Sequence, residues 1–176
     1  MAEQNCFVCE IVKGTVPSEK IYEDDEILAF LDVNGASPGH CFVIPKEHYP
    51  IFEQVPDSIV QKLFVISNKI SVAIFESLAA PGTNIFITNG IAADQKVAHF
   101  MINIVPRSEN DGINLQWQPR QLNEEEMSTI ELKLKEESAH IGGFQDSKPI
   151  EKIRHNTIEP ITGEDNYLLK SLRRIP

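Results

Sequence analysis

From Pro56 to Pro81 the chain repeats apolar residues at helical spacing, with Ile59, Leu63, Ile66, Ile70 and Ile74 three or four residues apart. That spacing gathers five branched side chains onto one stripe of an α-helix running from about residue 57 to residue 78. A long helix with one apolar stripe must lie across a flat apolar surface, which limits the options for the rest of the domain. Asp57 is expected to cap the helix start and Pro81-Gly82 to stop it. The flat surface comes from short strand-like segments at residues 20–23, 27–33, 39–45, 84–88 and 97–105. The first two are joined by the acidic turn Glu23-Asp24-Asp25-Glu26. Turns join most of these strands, so an antiparallel α+β domain follows, with a further short helix at residues 6–13 ended by Gly14 and Pro17.

The character changes after about Ser108, and the expected division is one domain over residues 1–110 and an extension over 111–176. Asn123 is placed to cap a helix over 124–139, whose first turn, Glu124-Glu125-Glu126, suits the positive end of the helix dipole. Residues 141–165 are polar and rich in turn formers. The terminal stretch 167–175 carries Leu168, Leu169 and Leu172 beside Lys170, Arg173 and Arg174, as a docked short helix or as a grip on a protein partner. A formal charge of −10 argues against general nucleic-acid binding. Three cysteines do not make a disulfide framework. No apolar run reaches the roughly 20 residues that span a bilayer, and the first five residues are too short and polar for a signal peptide. The expectation is a cytoplasmic, reducing setting with no membrane association.

If residues 97–105 form one strand, side chains alternate, with Val97, His99, Met101 and Asn103 on one face and Ala98, Phe100, Ile102 and Ile104 on the other. The second face is wholly apolar. The first mixes three chemistries and reads, taken alone, as a half-buried strand with one satisfied histidine. Cys6 and Cys9 stand in a Cys-x2-Cys spacing that lets two thiolates converge on one tetrahedral metal, with two further ligands required. His48 and His99 could supply them, while a redox dithiol or two plain buried cysteines fit the same spacing. Cys41 reads as a small core side chain, and His40, after Gly39 at a strand start, reads as structural.

Taken together these segments resemble the histidine-triad (HIT) superfamily over roughly residues 5–107. The matching stretches begin with Cys6-Phe-Val-Cys-Glu-Ile-Val-Lys-Gly-Thr-Val-Pro, Lys20-Ile-Tyr-Glu-Asp-Asp and Ile27-Leu-Ala-Phe-Leu-Asp-Val. They continue with Ser37-Pro-Gly-His-Cys-Phe-Val-Ile-Pro-Lys-Glu-His, Asn89-Gly, and Gln95, His99 and Pro106-Arg107. The resemblance implies a HIT-like α+β fold with a five-stranded antiparallel sheet, a homodimer, and a nucleoside monophosphate pocket. In zinc-containing members the ligands match Cys6, Cys9, His48 and His99, and Zn(2+) is the implied cofactor. Ile27, Phe30 and Val33 match positions around the base, Asp32 the carboxylate that accepts from ribose hydroxyls, and Asn89 and Gln95 polar positions near the phosphate.

The family's enzymes work through a nucleotidyl-histidine, and here the pattern breaks. The nucleophilic histidine falls at Met101 and a phosphate-binding histidine at Asn103. Asp94 and Lys96 replace a glycine and a small hydroxyl residue of the phosphate loop. A thioether does not carry a proton at neutral pH, and a carboxamide does no general acid–base work. Asp94 would repel a phosphate, whereas Lys96 could pair with one or stay with Asp94. His140 and His155 read as polar surface residues. The first expectation is therefore a zinc-stabilised nucleoside- or nucleotide-binding protein without nucleotidyl transfer. A hydrolase of altered mechanism and a dimeric platform that binds a protein through its tail are the alternatives.

Overall fold

The structure is a computed structural model that describes residues 6–138. The expectations for residue 139 onward, including His140, His155, Leu168, Lys170, Arg173 and Arg174, lie outside the described residues. Two compact units are present, one ending at Ile113 and one beginning at Asn114.

In the first unit a short helix α1 (Phe7–Lys13) precedes strands β1 (Lys20–Glu23), β2 (Ile27–Leu31) and β3 (Cys41–Pro45). Helix α2 (Asp57–Leu78) follows, then β4 (Gly82–Ile87) and β5 (Ile102–Arg107). The strands form one antiparallel sheet in the order β1-β2-β3-β5-β4. Asp24 fixes the β1–β2 turn, its Oδ1 accepting from the Glu26 and Ile27 amides at 2.8 and 2.7 Å. Gly39 closes the approach to β3 at φ +88°, where a Cβ would stand 2.5 Å from Leu78 Cδ1.

The sheet has two apolar faces, and strand parity decides which side chain goes where. Ile27, Ala29, Cys41, Val43, Ile102 and Ile104 pack with Leu63, Ile66, Ile70 and Ile74 of α2, with Ile59 partly buried at the margin. Leu28, Phe30 and Ile44 face the other way and pack with Cys6, Val8, Cys9 and Ile11, with Phe42, Val97 and Met101 against them. By length and hydropathy α2 alone would suffice to cross a bilayer. Its buried stripe on the sheet and exposed Lys62 and Lys69 instead identify the core helix of this domain.

Three expectations need correction. Asp57 is not the N-cap; Pro56 is, and no side chain caps the helix start. Strands β2 and β3 are shorter than expected, because the backbone turns at Asp32–His40, where the Asp32 amide donates to the His40 carbonyl at 2.9 Å. The fifth strand begins at Ile102 rather than residue 97. Before it, the His99 amide donates to the Val97 carbonyl at 2.8 Å and the Phe100 amide to the Tyr49 carbonyl at 2.6 Å. These bonds take residues 97–100 out of the β ladder while His99 keeps the α1 side and Phe100 the α2 side.

In the second unit, helix α3 (Glu124–Ser138) opens on a reciprocal cap. Asn123 Oδ1 accepts from the Glu126 amide at 2.8 Å, and Glu126 Oε2 accepts from the Asn123 amide at 3.0 Å.

Candidate functional site

Two sites share the α1 side of the sheet. In the first, Cys6 at the N-cap of α1 and Cys9 one turn later meet His48 and His99, and the four donor atoms lie within 4.8 Å of one another. His48 Nδ1 is 3.2 Å from Cys9 Sγ, and His99 Nδ1 is 3.6 Å from both Cys6 Sγ and Cys9 Sγ. The far nitrogen of His99 donates to the Pro45 carbonyl at 2.9 Å. That bond fixes the tautomer and leaves the Nδ1 lone pair aimed at the two sulfurs, as metal-ligating histidines require. Burial, with the adjoining His48 adding to it, lowers the pKa of His99 below its usual value, which favours the neutral ring. Two sulfurs and two imidazole nitrogens are the donor set of a closed tetrahedral zinc site. The residues fit the metal.

The second site is a cavity of about 370 Å³, roofed by α1 and floored by the sheet. Phe30, Phe42 and Phe86 form its floor, and Phe7, Val8 and Ile11 come from α1. Val97 and Met101 close one side, and Asp32, His40, Asp94, Lys96 and Asn103 bring polar groups. The volume falls in the range of small-ligand pockets, roughly 300–1,000 Å³. Asn103 lies opposite Phe42 and Phe86 in the sheet register and is nearly buried. Its carboxamide has no hydrogen-bond partner among the described residues.

The sequence-derived residues divide cleanly. Phe30, Asp32, Asp94, Lys96, Met101 and Asn103 line the cavity. Ile27 does not; three positions from Phe30, it faces α2 and is fully buried there. Val33 is 83% exposed on the Asp32–His40 turn, outside the cavity. The two amides assigned near the phosphate are already committed. Asn89 accepts from the Phe52 amide at 2.9 Å and donates to Glu53 at 2.8 Å. Gln95 accepts from the Gly90 amide at 2.7 Å and donates to the carbonyls of Pro50 at 2.7 Å and Val97 at 3.0 Å. Both hold the loop 89–97 in place. Asp94, in the left-handed region at φ 67°, forms an exposed ion pair with Lys96.

His40 has more than a structural position. Its Nδ1 accepts from the Ala36 amide at 3.1 Å and lies 3.5 Å from Asp32 Oδ2, while its buried Nε2 has no partner. The ring packs against Phe42. Sequence reasoning also left out Phe7, Val8 and Ile11, because their apolar character is what any buried helix would show. Phe42 and Phe86 each stand directly opposite Asn103 on the neighbouring strands, a pairing that only the sheet register reveals.

The fold and the two sites define an α+β protein with a Cys2His2 donor cluster beside an apolar-floored cavity. Residues 13–110 match the HIT domain model, and the chain belongs to that family. An uncharacterized HIT-like protein of Methanocaldococcus jannaschii is 40% identical over 107 residues, covering 61% of this chain and 82% of the relative. Adenylylsulfatase HINT3 of Arabidopsis thaliana is 40% identical over 109 residues, 62% of this chain but 55% of the plant protein. Among solved structures, a zinc-bound histidine triad family protein from Mycobacterium smegmatis superposes with a TM-score of 0.61 at 33% identity. That match covers 78% of this chain and 98% of the other.

Proposed function

We propose that this protein is a zinc-stabilised HIT-fold binding protein that takes a nucleoside-sized ligand in the α1-roofed cavity and does not form a nucleotidyl-histidine. The observation that carries the reading is the chemistry of β5 and its approach. Met101 and Asn103 face the cavity, and His99 is turned into the metal tetrad. Zinc would be held by Cys6, Cys9, His48 and His99 and would supply structural cross-linking, since all four positions are filled by protein. The relative named as zinc-bound supports that metal.

The ligand is read from the walls. Three phenylalanines offer an apolar surface for a base, and Asp32 an acceptor for sugar hydroxyls. Asp32 and Asp94 bring two carboxylates to the cavity against one ammonium, Lys96, which is itself paired with Asp94. That balance disfavours a phosphate dianion, so a nucleoside fits better than its monophosphate. Phe30, Asp32, His40 and Asn103 are the proposed contacts, with Asp94 and Lys96 at the rim. The edge of β4, unpaired among the described residues, supports a homodimer.

One observation favours a hydrolytic reading. His40, whose Nδ1 faces Asp32 and whose Nε2–H has no partner, is an imidazole on the cavity wall that could donate a proton to a leaving group. Titration calorimetry with adenosine and AMP, together with incubation on adenosine phosphoramidate and adenylyl sulfate, separates the readings. Adenosine binding at least as tight as AMP, with no AMP released, is expected. Sustained AMP release abolished by His40→Ala would establish hydrolysis. The double change Met101→His with Asn103→His should bring measurable AMP release from adenosine phosphoramidate, because it returns two nitrogen bases to the cavity face.

A further inference from the structure

The metal tetrad and the cavity are built from the same pieces of chain. Cys6 and Cys9 bracket Phe7 and Val8, and both of these, with Ile11, line the cavity. On the other side His99 sits between Val97 and Met101, again both cavity residues. Three of the four ligands are thus within two residues of a wall, and five wall residues ride on ligand-bearing segments. Helix α1 rests on the sheet through the apolar contacts of Val8 and Ile11, and its two sulfurs stand against His48 and His99. The bend at 97–100 is fixed by the Phe100 amide on Tyr49, the neighbour of His48.

We propose that metal in the Cys6–Cys9–His48–His99 tetrad sets the position of the roof and one side of the cavity. Metal and nucleoside then bind with positive coupling. The coupling rests on the proposed pocket and metal readings, but the positioning claim has a readout of its own. Removing metal frees Cys6 and Cys9 to move apart from the two histidines, and Phe7 and Val8 go with them. A nucleoside wedged under α1 does the reverse, holding the sulfurs near the imidazoles. Equilibrium linkage requires the two effects to be equal in size.

The test uses the full chain loaded with zinc. Amide exchange at residues 6–13 and 96–101 should accelerate when zinc is removed, while β3 stays protected. Adenosine affinity should fall by about tenfold or more, within the usual span of allosteric couplings. In the opposite direction, saturating adenosine should slow zinc transfer from the folded, loaded protein to 4-(2-pyridylazo)resorcinol, and this arm holds even if the zinc-free chain unfolds. As a control, adenosine should lose this effect on the loaded Phe7→Ala variant. If exchange at 6–13 is the same with and without zinc, the positioning claim is overturned. If zinc-free protein binds adenosine within twofold of the loaded form, the coupling fails while the pocket reading survives. If loaded protein does not bind adenosine and exchange still responds to zinc, the pocket reading falls and the positioning stands.

Discussion

At the scale of single residues, the three cysteines share a burial class but not an environment. Cys41 lies between Ile27-side core residues and α2, fully buried, and burial pushes its thiol up to about 12. A thiol so desolvated has almost no thiolate at neutral pH. Cys6 and Cys9 lie on a helix with a free outer side. Under native conditions the zinc-loaded protein should therefore react slowly with a disulfide reagent, the zinc-free protein should expose two thiols, and the third should wait for denaturant. Cys41 reacting with the others would show that the β3 core is looser than described.

Asp111 gives a second residue-scale test. The Arg107 guanidinium holds its carboxyl well below the usual carboxylate range, and the Ile113 and Ser108 amides add to that. A depressed carboxyl stabilises the fold above the unfolded value, near pH 4, and that contribution is lost as pH falls through the folded value. Asp111→Asn should therefore lower the urea midpoint at pH 7. The gap from the parent protein should narrow as pH drops below about 4.

At the scale of elements, α2 carries most of the fold. Leu63 is fully buried at the centre of its stripe, whereas Ile59 is only partly covered. Leu63→Ala should cost about 2–5 kcal/mol in urea unfolding, and Ile59→Ala less. Equal losses would mean that the stripe sits one turn away from where it is described. This helix was legible in the sequence because its apolar spacing is a local property. The cap was not: Pro56 already supplies the extended backbone that a capping residue needs, so Asp57 falls inside the helix. Residues 97–101 kept the alternation of a strand without pairing as one, because extended chain alternates whether or not a neighbour bonds to it. What moved the strand start to Ile102 is the bond from Phe100 to Tyr49, a long-range contact that no local pattern records. The Cys-x2-Cys spacing pointed to half of the candidate metal tetrad and the family resemblance to His48 and His99; the fold brings all four donor atoms within 4.8 Å of one another. Ile27 and Phe30, three apart on β2, fall on opposite faces of the sheet, so Phe30 reaches the cavity and Ile27 the α2 core.

At the scale of the whole molecule, the sheet is covered by α2 on one face and in part by α1 on the other, and among the described residues no strand pairs with the outer side of β4. An open edge strand offers a row of unpaired backbone groups to another chain. On the α2 side of β4, Thr83 bonds to Ser71 of α2 at 2.7 Å, and Ile85 next along is 41% exposed. Phe64 and Val65 leave further apolar surface on the outer side of α2. A two-fold axis beside β4 would pair it with its own copy and make one ten-stranded sheet, an isologous closure that leaves the β4 edge satisfied in both copies. Each chain carries −10 charges, so the two copies repel, and added salt should tighten the pair by screening. Sedimentation of the zinc-loaded protein at tens of micromolar should therefore give a dimer that strengthens with salt, and Ile85→Lys should shift it toward monomer by placing a charge on the seam. A parent protein that sediments as a monomer across that range, with the variant unchanged, would mean that β4 keeps its open edge and that a different device protects it.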